Sequence, residues 1–360
     1  MVTPPTVGLT LSGGGFRATA FGLGCLRGLH DTGVLDKVTI VSGVSGGSLL
    51  AALWAYGPED FEEFDAMTTR LLQSGLQGAL VREVLSPAAL TRSAVSAAGS
   101  ILPANARTDR PYNRTDALRA ILATRLFGDR LVSDPTRPEL ATVLNATDLI
   151  TSRAVRFGSR NSSSSQHGTI TDPVTVAEAV AASAAFPLLL PAIERTYSFE
   201  RNGTVSRVKV HLTDGGVYDN LGLSVLDPTR SPDHTRHVYC TDYVIACDAG
   251  RQEKGTSGAR LLPFRLKRSF DVTYRKTQDA SRGSLHAAGA AGHLDGFVLA
   301  YLGQQDHKLP MPISGLVPLS KVNDYPTNFR AMSQDSLDAL TTRGEQLVRA
   351  LLAHYCPQLI

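Results

Sequence analysis

The stretch Thr39-Ile40-Val41-Ser42-Gly43-Val44-Ser45-Gly46-Gly47-Ser48-Leu49 decides how the rest of the chain is read. Its first residues are β-branched and apolar, and that run stops abruptly at Ser42-Gly43. An apolar, helix-competent segment follows from Leu49 to Tyr56. Strand, sharp turn and helix succeed one another, with Ser45 at the apex of a G-x-S-x-G pattern. Side chains beside that serine would clash in so crowded a turn, hence the small residues. The N-terminal amides of the helix, beginning at Gly46, are directed at the serine oxygen, where negative charge would develop. Taken alone, the same stretch also reads as a glycine-rich structural turn.

Upstream, Val7 to Leu11 reads as a short strand running into Ser12-Gly13-Gly14-Gly15-Phe16-Arg17-Ala18. A helix is expected from there to about His30, with Gly33 as its C-cap. Together with the 38–42 strand this is a βαβ unit, so the sheet is at least partly parallel and covered on both faces. The glycine run has two chemical readings. Gly13-x-Gly15-x-x-Ala18 fits a dinucleotide fingerprint, but that site needs an acid at the end of the second strand, where Ser42-Gly43 stands. The other reading is an oxyanion hole, because consecutive glycines let backbone N–H groups turn towards one anionic oxygen.

Downstream, residues 57–135 carry almost no strand signal. Glu59–Leu72 and Thr115–Leu126 read as helices around a Ser/Ala/Gly-rich region, so a helical insertion over the sheet is expected, either a cap or a plain connection. Strand character resumes at 143–148 and 154–157, and residues 159–167 read as a polar low-complexity loop. Val174–Ala185 is a small-residue helix, and Asn202-Gly203 marks a hairpin between 196–200 and 204–212. Leu212-Thr213-Asp214-Gly215-Gly216 then places an acid at a strand end, where it can project into a cleft or merely make a tight turn. Residues 243–248 and 297–302 read as further strands, and 261–285 and 332–354 as helices.

Composition sets the outer bounds. The 360 residues are 42% hydrophobic and 19% charged, with a net charge of +3, which argues against a dedicated nucleic-acid binder. Residues 251–282 hold nine Lys/Arg against three Asp/Glu, either a solvated helix face or a surface for anionic lipid. Cys25, Cys240, Cys247 and Cys356 have no metal-ligand spacing, and Cys25 and Cys247 sit in apolar runs, so buried thiols rather than disulfides are expected, with no metal site or cofactor. Neither a signal peptide nor a membrane-spanning run is evident, and the chain is read as cytoplasmic or peripheral to a membrane.

In this order, SGGGFRA at 12–18, GVSGG at 43–47 and DGG at 214–216 resemble the patatin-like phospholipases and their relatives the cytosolic phospholipases A. SAAFPLLLP at 183–191 and NATDL at 145–149 resemble further segments of that family. The resemblance spans about residues 6 to 300 and is poor over 57–135. It implies one domain with a three-layer α/β sandwich around a central, largely parallel sheet. It implies a Ser–Asp dyad without histidine: Ser45 as nucleophile, Asp214 as base, and Gly14 and Gly15 with Gly46 around the oxyanion. Arg17 matches an arginine that faces the lipid phosphate. The implied activity is hydrolysis of fatty-acyl esters of phospholipids or lysophospholipids, the partner being that lipid, with peripheral membrane contact. Two other readings stand beside it. One is an α/β-hydrolase with a triad of Ser45, Asp214 or Asp248, and His286 or His293; the other is a non-catalytic lipid- or nucleotide-binding module.

Overall fold

A computed structural model describes residues 4–84, 112–187, 189–233, 235–252 and 262–360. The chain opens with β1 (Val7–Leu11), α1 (Gly15–Asp31), β2 (Val38–Val44) and α2 (Gly46–Tyr56). Three helices follow, α3 (Phe61–Ser74), α4 (Gln77–Val84) and α5 (Arg114–Leu122), then β3 (Ala141–Asp148), β4 (Arg153–Gly158), β5 (Ser163–Ser164) and β6 (Gly168–Ile170). Next come α6 (Val176–Ser183), β7 (Ile193–Arg201), β8 (Thr204–Asp214) and β9 (Tyr243–Asp248). The last elements are α7 (Leu262–Ala290), β10 (Gly296–Tyr301) and α8 (Gln334–Tyr355). The cap expected over about 57–135 falls partly on 85–111, outside the described residues; its described part holds helices joined by turns, with a single bridging residue at Leu131.

Ten strands form one sheet in the order β10-β9-β1-β2-β3-β4-β5-β6-β7-β8. The first five are parallel. From β3 onward every pairing is antiparallel, and β8 returns to pair with β3, so the second half of the sheet closes into a ring. The polar 159–167 loop contains β5 and leads into β6, two strands its composition concealed.

Side-chain alternation makes the layers. Val41, Leu144 and Ile245 point into a core with α1, α2, α6 and α8, whereas their neighbours Ile40, Val143 and Val244 point into a second core with residues 221–226 and α7. Parallel strands buried on both faces are continuously apolar, as β9 is. Helix α1 is backed by α8 at close range. A Cβ on Gly24 would collide with the Thr341 carbonyl, and one on Gly344 with the Phe21 carbonyl.

One feature of the register brings the site together. Along a single edge of β3, residues 141–145 pair with β2 and residues 146–148 pair with β8. The two strands run towards each other along that edge, so the end of β2 at Val44 and the end of β8 at Asp214 meet. On the other side of β2, Leu11 pairs with Gly43, which sets the glycine run of residues 13–15 beside the same point.

Candidate active site

Ser45 sits where β2 ends and α2 begins, with φ 53° and ψ −118°, a left-handed conformation that a serine adopts only under constraint. The constraint comes from both sides. A Cβ on Gly46 would strike the Gly15 carbonyl, and one on Gly47 the Leu11 carbonyl, so only glycines allow the turn to press against the β1–α1 loop. The Ser45 N–H donates to Ser183 Oγ at 2.9 Å, and Ser183 Oγ donates to the Asn145 carbonyl at 2.5 Å. Asn145 Nδ2 in turn donates to Ser42 Oγ and to the Gly43 carbonyl, both at 2.9 Å. This buried chain of hydrogen bonds ties the turn to α6 and β3.

Asp214 is buried at the end of β8. Its carboxylate accepts the Gly216 N–H at 2.7 Å, and the Ser45 side chain lies beside it. Removal from water pushes its pKa from 3.8 up to about 6, against the opposing pull of the Ser45 side chain and the Gly216 N–H. The two sequence-expected residues are therefore brought together, and a carboxylate of that pKa is a better proton acceptor at neutral pH than an ordinary one.

Gly14 has φ 147° and Gly15 φ 58°, both conformations open to glycine. Gly14 caps α1, and the first N–H groups of a helix have no partner within it. Gly13 is held by its N–H to the Asn220 carbonyl at 3.0 Å, and Phe16 by its N–H to the Asn328 carbonyl at 2.9 Å. Gly46 lies at the first turn of α2, against Gly15.

Arg17 is buried in the cavity wall. Its Nε donates to the Ala249 carbonyl at 3.0 Å, and one terminal nitrogen to the Tyr325 carbonyl at 3.0 Å and Thr327 Oγ1 at 2.9 Å. Burial, then the nearby charge of Arg251, lowers its pKa to about 10. Its guanidinium thus ties together two loops far apart in sequence, and its second terminal nitrogen lies beside Gly14.

These groups share a cavity of about 1000 Å³. One wall is apolar: Leu76, Leu80, Val81 and Val84 from around α4, Leu118 from α5, and Phe186, Leu189 and Leu190. The other is polar, with Arg251, Gln252, Arg268, Tyr274 and Arg275. Tyr274 donates to Asn220 Oδ1, closing the polar wall over the glycine loop. Among the described residues no histidine lines the cavity. His286 packs edge-on against Phe297, and the Asp248 carboxylate is engaged by Arg282. No group of His, Cys, Asp and Glu among the described residues could hold a metal ion. The four cysteines are thiols, of which Cys240 alone is exposed.

Sequence reasoning did not assign roles to Ser183, Asn220 or Tyr274. Ser183 had one signal, a serine among alanines in a buried small-residue helix, where a hydroxyl needs a partner. Asn220 and Tyr274 had none, because the contacts that matter cross long spans of sequence.

A family model described as patatin-like phospholipase matches residues 9–227, and the chain belongs to that family. Among solved structures, human GIVD cytosolic phospholipase A2 has the same fold, with a TM-score of 0.56 and 14% identity over 96% of this chain. The same human protein in complex with methyl gamma-linolenyl fluorophosphonate and terbium chloride gives 0.51 and 16%. This chain covers 58% of each of those chains. No curated protein matches it. Among the described residues no helix is long and apolar enough to cross a membrane.

Proposed function

We propose that the chain is a serine acyl hydrolase that cleaves fatty-acyl esters of phospholipids or lysophospholipids through a Ser45–Asp214 dyad. The observation that carries this reading is the Ser45 side chain set beside a buried carboxylate whose pKa is raised to about 6, both lining a large cavity with one apolar wall. Asp214 takes the hydroxyl proton as Ser45 Oγ attacks the ester carbonyl. The tetrahedral oxyanion is met by the N–H groups of Gly14, Gly15 and Gly46. Its collapse breaks the ester bond, and Asp214 returns the proton to the departing alcohol. The acyl chain, now on Ser45 and lying along the apolar wall, is released by water that Asp214 deprotonates in the same way.

Arg17 serves this site in two ways. Its carbonyl contacts hold the loops that border the glycine run, and its remaining nitrogen reaches towards the phosphate of a bound lipid. The described helices between residues 57 and 135 act as a cap that supplies part of the acyl wall, and the enzyme works at a membrane surface.

A fluorophosphonate that mimics a fatty-acyl ester tests the reading directly. It is expected to phosphonylate Ser45 stoichiometrically, and Ser45→Ala to abolish both labelling and release of fatty acid from phospholipid vesicles. A protein that binds vesicles but takes no label and releases no fatty acid is the binding module instead. Loss of activity on replacing one histidine, as complete as for Ser45→Ala, would install a triad.

A further inference from the structure

The polar wall of the cavity does not end at the catalytic residues. A second pocket of about 400 Å³ adjoins it, and Gln252 and Arg275 line both. Its remaining lining is Tyr301, Gly303, Gln304, Gln305 and Lys308. The chemistry of this pocket is specific. Three amide side chains, Gln252, Gln304 and Gln305, offer donors and acceptors to a polyol, the Tyr301 hydroxyl, which donates to the Arg251 carbonyl, can still accept, and Arg275 and Lys308 bring positive charge for an anion.

The charges around the junction are unbalanced. Arg17 lies near both Arg251 and one buried carboxylate, Asp248, and that carboxylate is taken by Arg282, whose Nε lies 2.9 Å away. Other acids nearby are also engaged, Asp279 by Arg282 and Asp306 by Arg343, and Asp271 and Asp324 on the wall of the main cavity have partners as well. Arg251 and Lys308 are exposed, and among the described residues neither makes an ion pair. Burial first and the proximity of Arg251 second lower the pKa of Arg17, with Asp248 acting in the opposite sense, and the two arginines line one cavity. Nor does the pocket suit a quaternary ammonium. Such groups are held on open aromatic faces, and the Tyr301 ring is already covered by the Arg282 guanidinium at 4.2 Å.

We infer that the second pocket is a headgroup subsite, and that the lipid it selects carries an anionic, polyhydroxylated headgroup of the phosphoglycerol or phosphoinositol class rather than phosphocholine. The inference rests on the hydrolase reading for its reaction but not for its binding. The phosphodiester sits at the junction by Arg17 and Arg251, the polyol lies among Gln252, Gln304 and Gln305, and Lys308 closes the outer end.

Lysophospholipids of one acyl chain, dispersed in a neutral detergent, separate headgroup recognition from attraction to a charged surface. Lysophosphatidylglycerol or lysophosphatidylinositol is expected to give a kcat/KM at least tenfold above that of lysophosphatidylcholine. Lys308→Glu and Arg251→Glu, at exposed positions, are expected to cut that ratio several-fold each, with thermal midpoints near that of the parent. The same ranking is expected for binding to Ser45→Ala protein, measured by calorimetry. Equal kcat/KM across headgroups, or variants that depress every headgroup alike, would overturn the subsite. Should the parent protein take no phosphonate label, the hydrolase reading falls, and calorimetry still decides the subsite: preferential binding of the anionic lysolipid upholds it and equal binding removes it.

Discussion

At the scale of single residues, the site depends on one carboxyl. On the proposed mechanism Asp214 is a base, and a base only when ionised, so kcat/KM for a soluble ester is expected to fall tenfold per unit as pH drops below about 6, where its pKa lies. The same shift has a consequence for stability. Folding raises this pKa from 3.8 to about 6, so the folded chain binds the proton more tightly than the unfolded one. By linkage, stability falls as pH rises through that window, and the deficit is complete above it. Asp214→Asn keeps the acceptor for Gly216 and removes the charge. It is expected to abolish turnover yet be more stable than the parent by about 3 kcal/mol at pH 8, the gain nearly vanishing by pH 4. Urea titrations at the two pH values measure it, and an equal difference at both would show that Asp214 is not a strained base. Ser45 and Asp214 were legible in the sequence because each sits in a run of small residues ending a strand. The behaviour of Arg17 was not, since nothing in Phe16-Arg17-Ala18 says that carbonyls at 249 and 325 will close on the guanidinium.

At the scale of elements, the turn between β2 and α2 is held by the end of α6. Ser183→Ala leaves the buried Ser45 N–H without its acceptor and the Asn145 carbonyl without its donor. A loss of about 1–3 kcal/mol is expected, with kcat falling and KM little changed, because the nucleophile is displaced while the cavity is intact. Steady-state kinetics beside a thermal melt checks both. The N-terminal turn of α1 is as exacting. A Cβ on Gly15 would lie 2.7 Å from the Asn328 carbonyl, in a left-handed conformation. Gly15→Ala is expected to lower turnover roughly 100-fold, the scale of a lost oxyanion donor. A variant with near-parent turnover would remove Gly15 from that role. Most elements were legible from periodicity: β9 spans the residues 243–248 expected of it, and α3, α5, α7 and α8 lie within a few residues of their expected ends. The strands β5 and β6 were not, because Ser163-Ser164 and Gly168–Ile170 are short and polar or small, and are strands only because β4 and β7 offer them edges.

At the scale of the whole molecule, the family match stops at residue 227 but the sheet does not. Strand β9 lies between β1 and β10, and α8 covers α1. A chain cut after residue 227 would leave β1 with an open edge and one apolar flank of α1 bare. Such a fragment is expected to be insoluble or to lack a cooperative melt, and a soluble, cooperatively melting fragment would make the C-terminal third an appendage. The parallel half of the sheet was legible from the first βαβ unit. The closing pair of β3 with β8 was not, because a one-edge junction between two opposed strands leaves no local trace. That junction also sets a clock. Ser45 is made early in synthesis, but its partner is joined to it only when β8 has found the free stretch of β3 beyond the end of β2. Contacts of such long sequence separation form late. On the proposed mechanism, a chain emerging from the ribosome therefore carries its nucleophile for nearly half its length without the base that arms it, and activity arrives together with the completed sheet.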